Sequence, residues 1–273
     1  MVEFIYSASD MDLEQIKSVG VRAACQAGEI LRGFHGGALN IRKKGVIDLV
    51  TEADTASEKR IIDTIRSAYP GHDILAEESG LIIGDGKYQW IIDPLDGTTN
   101  FAHGLDVYSV SIAFSVAGQV VMGVVFSPAG GELFAAIKGK GATLNGKAIR
   151  VSSTESIADS LLVTGFPYNA RDMMAPLLTR FSNCMAASQG IRRFGSAAID
   201  LCYVACGRFD GFWEENLKPW DTAAGALIAE EAGGRVTNFQ NSPFSNDMAQ
   251  IVATNGFIHS EMLVLLGSEN NIS

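Results

Sequence analysis

The side chains best placed to do chemistry in this chain are carboxylates, and five of them matter: Asp54, Glu77, Asp93, Asp96 and Asp221. The densest stretch is Trp90-Ile91-Ile92-Asp93-Pro94-Leu95-Asp96-Gly97-Thr98-Thr99-Asn100-Phe101. Trp90 to Ile92 reads as a short buried strand. Pro94 cannot donate to a ladder, so the chain is expected to turn directly after Asp93. Asp93 and Asp96 bracket that turn, Gly97 supplies backbone freedom, and Thr98 and Thr99 bring hydroxyls and open N–H groups. Hard oxygen ligands beside unpaired amides suit a divalent cation that holds a phosphate. A lone Asp-Gly is usually a turn that caps a helix. This run has too many special residues for that reading.

Each acid taken singly has an ordinary explanation. Asp54 and Asp221 open helical patterns, where an acid is expected as a cap, and Glu77-Glu78 after a strand is commonly surface charge. Together they are acids at strand ends or helix starts, where a sheet gathers its loops into one place. Five clustered carboxylates repel one another at a cost that two or three Mg2+ ions would remove, with coordination positions left over for phosphate.

The elements that must position these acids follow from periodicity. Residues 10 to 33 read as an amphipathic helix capped by Asp10, with Leu13, Ile16, Gly20, Ala23, Ala24, Ala27, Ile30 and Leu31 near a period of 3.6. Gly36-Gly37 ends it, and Arg42-Lys43-Lys44-Gly45 reads as a solvated loop. Asp48-Leu49-Val50-Thr51 leads into a second helix with Ile61, Ile62, Ile65 and Ala68 on its apolar face, ending before Pro70. A strand over 72–76 delivers Glu77-Glu78-Ser79-Gly80 to the edge where the Asp93 strand ends. From Val107 to Ala136, β-rich runs alternate with Gly turns, as in an antiparallel meander. Gly141 to Lys147 approximates a phosphate-binding P-loop, but Ala148 follows the lysine and no helix pattern comes next. Asn145-Gly146 is therefore read as a hairpin turn. The polar stretch Ser152 to Ser160 marks a boundary between two subdomains of a single domain spanning residues 1–273. Beyond it come a strand at Leu161 to Thr164, a helix near Ala175 to Ala187 and a helix through Cys206. Ser196 is the expected cap of the latter, with N–H groups open to a ligand oxygen. A helix from Asp221 to Gly233-Gly234, a strand at Ile251 to Thr254 and a closing helix to Leu266 complete the chain.

Composition narrows the class. The chain has 273 residues, 47% of them hydrophobic, enough for a large core, and its 29 Gly suit a mixed α/β chain with many tight turns. Apolar stretches such as Ser109 to Val116 are too short to span a bilayer, and the N-terminus lacks a secretion pattern. Cytoplasm is the expected location. Cys25, Cys184, Cys202 and Cys206 form no disulfide framework, and four scattered His argue against zinc. The net charge of −10, with no run of Lys or Arg, makes nucleic acid a poor partner. An acidic protein that handles phosphate needs metal ions to do so.

The sequence resembles the inositol monophosphatase family of magnesium-dependent, lithium-sensitive phosphatases. The resemblance rests on Asp54, Glu77-Glu78, Asp93-Pro94-Leu95-Asp96-Gly97-Thr98, Trp220-Asp221 and Gly233-Gly234, in order and over nearly the whole chain. Phe212-Trp213-Glu214 and Leu217-Lys218-Pro219-Trp220-Asp221 look most like the bacterial members. The resemblance implies a layered α-β-α-β-α fold, as in fructose bisphosphatase, and a homodimer. It implies that Glu77, Asp93 and the Leu95 carbonyl hold one Mg2+ and that Asp93, Asp96 and Asp221 hold a second, with Glu77 sharing a weaker third. Gly97 and Thr98 would give N–H groups to phosphate, and Asp54 and Thr98 would orient and deprotonate the attacking water. Gly195, Ser196, Ala197 and Glu214 would contact the alcohol portion of a small phosphate monoester. The expected reaction is hydrolysis of inositol 1-phosphate by a magnesium-activated water. Alternatives are fructose-1,6-bisphosphatase or another small sugar or alcohol phosphatase of the family, such as a histidinol phosphatase, and a regulatory binding protein that retains the fold. Asp106 and Glu215 fall outside the family pattern and are expected near the substrate mouth.

Overall fold

The computed structural model describes residues 12–37, 41–43 and 49–267. The expected cap Asp10 and the residues from Lys44 to Asp48 lie outside them. Helix α1 (Leu13–Phe34) instead starts at Asp12, whose side chain accepts the N–H groups of Glu14 and Gln15 at 3.0 and 3.2 Å. Arg42 and Lys43, expected in a loop, lie in β1 (Ile41–Lys43), which pairs antiparallel with β2 (Leu49–Thr51). Helix α2 (Glu52–Ala68) follows at once. Its Ile61 and Ile65 are fully buried, whereas Ala68, expected on the same face, is exposed.

The first large sheet takes strands from residues 73 to 148. These are β3 (Asp73–Ala76), β4 (Gly80–Ile82), β5 (Tyr88–Asp96), β6 (Ser109–Val116), β7 (Gln119–Ser127), β8 (Glu132–Ile137), β9 (Ala142–Leu144) and β10 (Lys147–Ala148). Their order is β10-β9-β8-β7-β6-β5-β3-β4, so the stretch from β6 onward is the expected meander. Asn145 and Gly146 both have positive φ, which suits the two-residue hairpin between β9 and β10. The turn after Asp93 differs from expectation. Strand β5 runs on to Asp96, and its pairing with β6 skips from Asp93–Ser111 to Asp96–Ser109. Pro94 breaks the ladder locally and the strand resumes beyond it, as a β-bulge allows.

The second sheet has the order β12-β11-β13-β15-β14. Its strands are β11 (Leu161–Thr164), β12 (Gly190–Arg192), β13 (Gly211–Glu215), β14 (Arg235–Thr237) and β15 (Gln250–Thr254). Helices α4 (Met174–Ala187), α5 (Ala197–Ala205), α6 (Pro219–Glu231) and α7 (His259–Gly267) connect and cover it. Side-chain alternation along the strands then stacks five layers. Trp90, Ile92, Ile112 and Val124 turn to one face of the first sheet and meet Ile16, Ala23 and Leu31 of α1 and Ile61 of α2. Ile91, Ala113 and Val125 turn to the other face and meet Leu201 of α5 and Ala224 and Ile228 of α6. The same two helices receive Val163, Phe212 and Ala253 of the second sheet. Leu162, Trp213 and Val252 point away from them, onto Cys184 of α4 and Met262 and Leu266 of α7. The result is the expected α-β-α-β-α order.

The central layer demands close approach. A Cβ on Gly123 of β7 would lie 2.8 Å from the Ala224 carbonyl oxygen and 3.0 Å from its Cα. Both are backbone atoms of α6, so a methyl group there has to push the helix away. Gly123→Ala is expected to cost about 1–3 kcal/mol of stability through overpacking. A lowered midpoint in urea unfolding checks it.

Candidate active site

The cleft begins where β3 and β5 end side by side. Their parallel register sets Ala76 opposite Ile92, so Glu77 follows one strand beside Asp93 at the end of the other. The Glu77 N–H continues the pairing by donating to the Ile92 carbonyl at 3.2 Å. Asp93 is buried, and its carboxylate accepts the Leu95 N–H at 2.9 Å across the bulge. Gly97 has φ +91°, and a Cβ there would lie 2.9 Å from the Val107 carbonyl, so this turn needs glycine on both counts. The chain leaves it as the short helix α3 (Thr98–Ala102).

Asp54 is not the cap of α2. Thr51 takes that position, and Asp54 stands three residues on, accepting the Thr51 N–H at 2.8 Å and the Thr51 hydroxyl at 2.6 Å. Its other oxygen lies 3.2 Å from the Thr98 hydroxyl, which also reaches the Leu95 carbonyl at 3.0 Å. Asp221 likewise sits at the third helical position of α6, which begins at Pro219 rather than at Asp221. Its carboxylate accepts the Lys218 N–H at 2.7 Å. The start of α5 differs most from expectation. Ser196 does hold the cap position, but its hydroxyl donates to Asp96 at 2.6 Å, and Asp96 also takes the Ala198 N–H at 2.8 Å. The N-terminus of α5 thus receives a carboxylate of the protein itself, and the Ala198 N–H is not open to a ligand.

One cleft of about 430 Å³ is lined by Glu77, Asp93, Leu95, Asp96, Gly97, Thr98, Gly195, Ser196, Ala197, Glu214 and Asp221. Every proposed site residue except Asp54 therefore reaches its wall. Asp54, fully buried, adjoins the cleft through Thr98. Asp106 and Glu215 do not line it. Asp106 is exposed, 3.7 Å from His35 Nε2, and Glu215 pairs with Arg180 of α4 at 2.5 Å. Adjacent strand residues face opposite ways, so when Glu214 enters the cleft Glu215 must leave it. The cleft also holds residues that sequence spacing did not single out, chiefly Arg193, Lys218, Tyr168 and Asn216. A cation in a loop carries no local mark that distinguishes a cleft wall from open surface. Asp200 of α5 escaped notice too. It is fully buried, and neither carboxylate oxygen has a hydrogen-bond partner among the described residues.

Electrostatics follow from burial and like charge. Burial pushes the Asp93 carboxyl well above the usual range, and Glu77, Asp96 and Asp221 push it further. Asp221 is raised by burial and then by Asp96. Burial lifts Asp96 to about 6 against the opposing pull of Ser196 and Ala198. Burial, then Asp221, lifts Glu214 to about 8. Asp54 is raised by burial in spite of its bonds to Thr51 and Thr98. An all-oxygen donor set of mutually repelling acids fits a hard divalent cation such as Mg2+. Among the described residues, no group of three or more such side chains is arranged to hold an ion as it stands. Several of these carboxylates instead face the protein's own N–H and hydroxyl donors.

The profile of the inositol monophosphatase family matches residues 12–269. An inositol-1-monophosphatase of Synechocystis is 45% identical over 256 residues, 93% of this chain and 89% of its own. A protein of Pseudomonas aeruginosa called Nus factor SuhB is 44% identical over 250 residues, 89% of this chain and 92% of its own. The crystal structure of the extragenic suppressor protein suhB from Bartonella henselae superposes with a TM-score of 0.91 at 41% identity, covering 94% of this chain and all of that one. An inositol monophosphatase structure from Anabaena gives a TM-score of 0.87 at 41% identity, covering 96% and 99%.

A raised carboxyl makes the folded state bind more protons than the unfolded one, so stability falls as pH rises through the interval between the two pKa values. For Glu214 that interval runs from its ordinary value of 4.5 to about 8. Chelator-treated protein is expected to melt at a lower temperature at pH 8 than at pH 5.5, and Glu214→Gln to reduce that drop. Thermal melts of both proteins at the two pH values check it.

Proposed function

The chain belongs to the inositol monophosphatase family, a family of phosphatases, and from that premise we propose that it is a magnesium-dependent phosphomonoesterase acting on inositol 1-phosphate. The observation that carries this reading is the meeting of Glu77, Asp93, Asp96 and Asp221 in one cleft with Gly97 and Thr98. Glu77, Asp93 and the Leu95 carbonyl would hold one ion, and Asp93, Asp96 and Asp221 a second. When bound, magnesium supplies charge neutralisation for the phosphate and acidifies water.

The protein groups do the rest. The N–H groups of Gly97 and Thr98 bind phosphate oxygens. The Thr98 hydroxyl accepts a proton from the attacking water as it gives its own to Asp54. Burial makes Asp54 a stronger base than a surface carboxylate. The new P–O bond forms opposite the one that breaks, the leaving alkoxide takes up a proton from water in the cleft, and Asp54 returns its own to solvent. Glu214, with Gly195 and Ala197, orients the alcohol by accepting from its hydroxyls. Gly165 matters to that last role, because a Cβ there would collide with the Glu214 carboxylate.

The proposal includes a cytoplasmic homodimer inhibited by lithium. Among the described residues no helix is long and apolar enough to cross a membrane. Relatives called Nus factor SuhB match about as well as relatives named inositol-1-monophosphatase. They favour a second reading, a regulatory binding protein on the same fold. Turnover separates the two.

Under Mg2+, phosphate release from inositol 1-phosphate is expected to exceed that from fructose 1,6-bisphosphate or histidinol phosphate, and to cease with chelator. No release from any of the three would overturn this reading and favour the binding one. Asp54→Asn is expected to lower kcat by about 10²–10⁴-fold, the usual worth of a positioned base. Asp221→Asn is expected to abolish turnover with the circular dichroism spectrum unchanged, and full activity in that variant would reduce Asp221 to a helix-end acid.

A further inference from the structure

One face of α2 touches each segment that the first sheet contributes to the cleft. Asp54 meets Thr98, and the Ser57 hydroxyl donates to the Pro94 carbonyl at 2.7 Å. Glu58, one turn beyond Asp54, takes the loop after β3. It is only 5% exposed. Its Oε2 accepts the Glu78 N–H at 2.9 Å, and its Oε1 accepts the Ser79 N–H at 3.0 Å and the Ser79 hydroxyl at 2.5 Å. Three donors converging on one buried side chain call for an acceptor-only group, which an ionised carboxylate is and a carboxamide is not.

These bonds fall on the two residues that follow Glu77. On its other side, Glu77 is fastened by its own N–H to the Ile92 carbonyl, next to Asp93. Glu77 therefore sits on a peptide clamped at both ends, by the sheet before it and by α2 after it. The clamp works against a definite force. Glu77 and Asp93 are like charges at neighbouring strand ends, and Glu77 is among the groups that raise the Asp93 carboxyl. A loop free to move would relax that repulsion by carrying Glu77 outward.

We propose that Glu58 is a positioning residue for metal binding: it holds the Glu77 loop against the repulsion of Asp93, so that both acids face one ion before it arrives. The proposal rests on the metal-dependent reading of the cleft. Asp54 and Glu58 are four residues apart on one helix, so the same helix aims the base and the loop that carries Glu77.

The test is calorimetric titration with Mg2+ alone, beside thermal melts and phosphate release, for wild type, Glu58→Gln, Ser79→Ala and Glu77→Gln. Glu58→Gln turns an amide NH2 toward backbone N–H donors. It is expected to weaken Mg2+ binding by about 10–100-fold, the usual effect of losing a group that orients a ligand, and to raise the Mg2+ needed for half-maximal rate alike. Its kcat at saturating Mg2+ should stay near that of wild type. Ser79→Ala removes one bond and should weaken Mg2+ binding a few-fold with the melt little changed. If Glu58→Gln melts earlier but binds Mg2+ like wild type, Glu58 only stabilises a turn and the proposal is overturned. If Glu58→Gln does not fold, unchanged Mg2+ binding by Ser79→Ala overturns it equally. Failure of the metal reading looks different: wild type and Glu77→Gln would then both take up no Mg2+.

Discussion

Repulsion among carboxylates that the fold forces out of water is the constraint on which the rest of this molecule turns. Asp93, Asp96, Glu214 and Asp221 are all held above the ordinary carboxyl range, first by burial and then by a neighbouring acid: Glu77 for Asp93, Asp221 for Glu214 and Asp96 for Asp221. A buried charge without partners costs several kcal/mol, so the fold surrounds these acids with N–H donors. Leu95 supplies one to Asp93, Ala198 one to Asp96 and Lys218 one to Asp221. The last two come from the starts of α5 and α6, and Asp54 lies in the first turn of α2. Acids near helix N-termini are favoured by the helix dipole, so the orientation of three helices lowers the cost of the acidic cleft.

That orientation depends on the layers. α5 and α6 are buried against a sheet on each side, and a helix covered all round has no polar face to spare. Their sequences show it in the runs Ala197-Ala198 and Ala223-Ala224-Gly225-Ala226. Small residues let the two helices approach, to the point that a Cβ on Gly225 would lie 2.8 Å from Leu201 side-chain atoms. With the central layer this thin, the start of α5 reaches Asp96 in the first sheet while Glu214 arrives from the second. The cleft is where the two sheets and the helices between them share one edge.

Much of this was legible in the residues themselves. The Asp-Pro-Leu-Asp-Gly-Thr run announced an acidic turn, because Pro fixes φ and removes a donor wherever it stands while Gly opens the left-handed region that Gly97 occupies. Asn145-Gly146 announced a hairpin, and the missing Ser or Thr after Lys147 ruled out a phosphate loop, since both depend on neighbours in sequence. The face of α1 followed from its period. The bulge after Asp93 was less legible, because whether a strand resumes beyond a proline depends on whether β6 waits to pair with Asp96.

What the chain determines locally, then, is which residue types sit at strand ends and helix starts, and so which chemistry is available. Tertiary structure decided which of those residues meet. Asp96 and Ser196 are 100 residues apart, yet their bond fills a helix end that sequence alone left open. Glu214 and Glu215 are neighbours, yet one enters the cleft and the other binds Arg180. Arg193 joined the cleft wall, and Glu58 took the loop beyond Glu77, without any local sign. The reason is physical: propensity and period act over a turn or a strand, whereas a pairing across layers depends on how every intervening element packs.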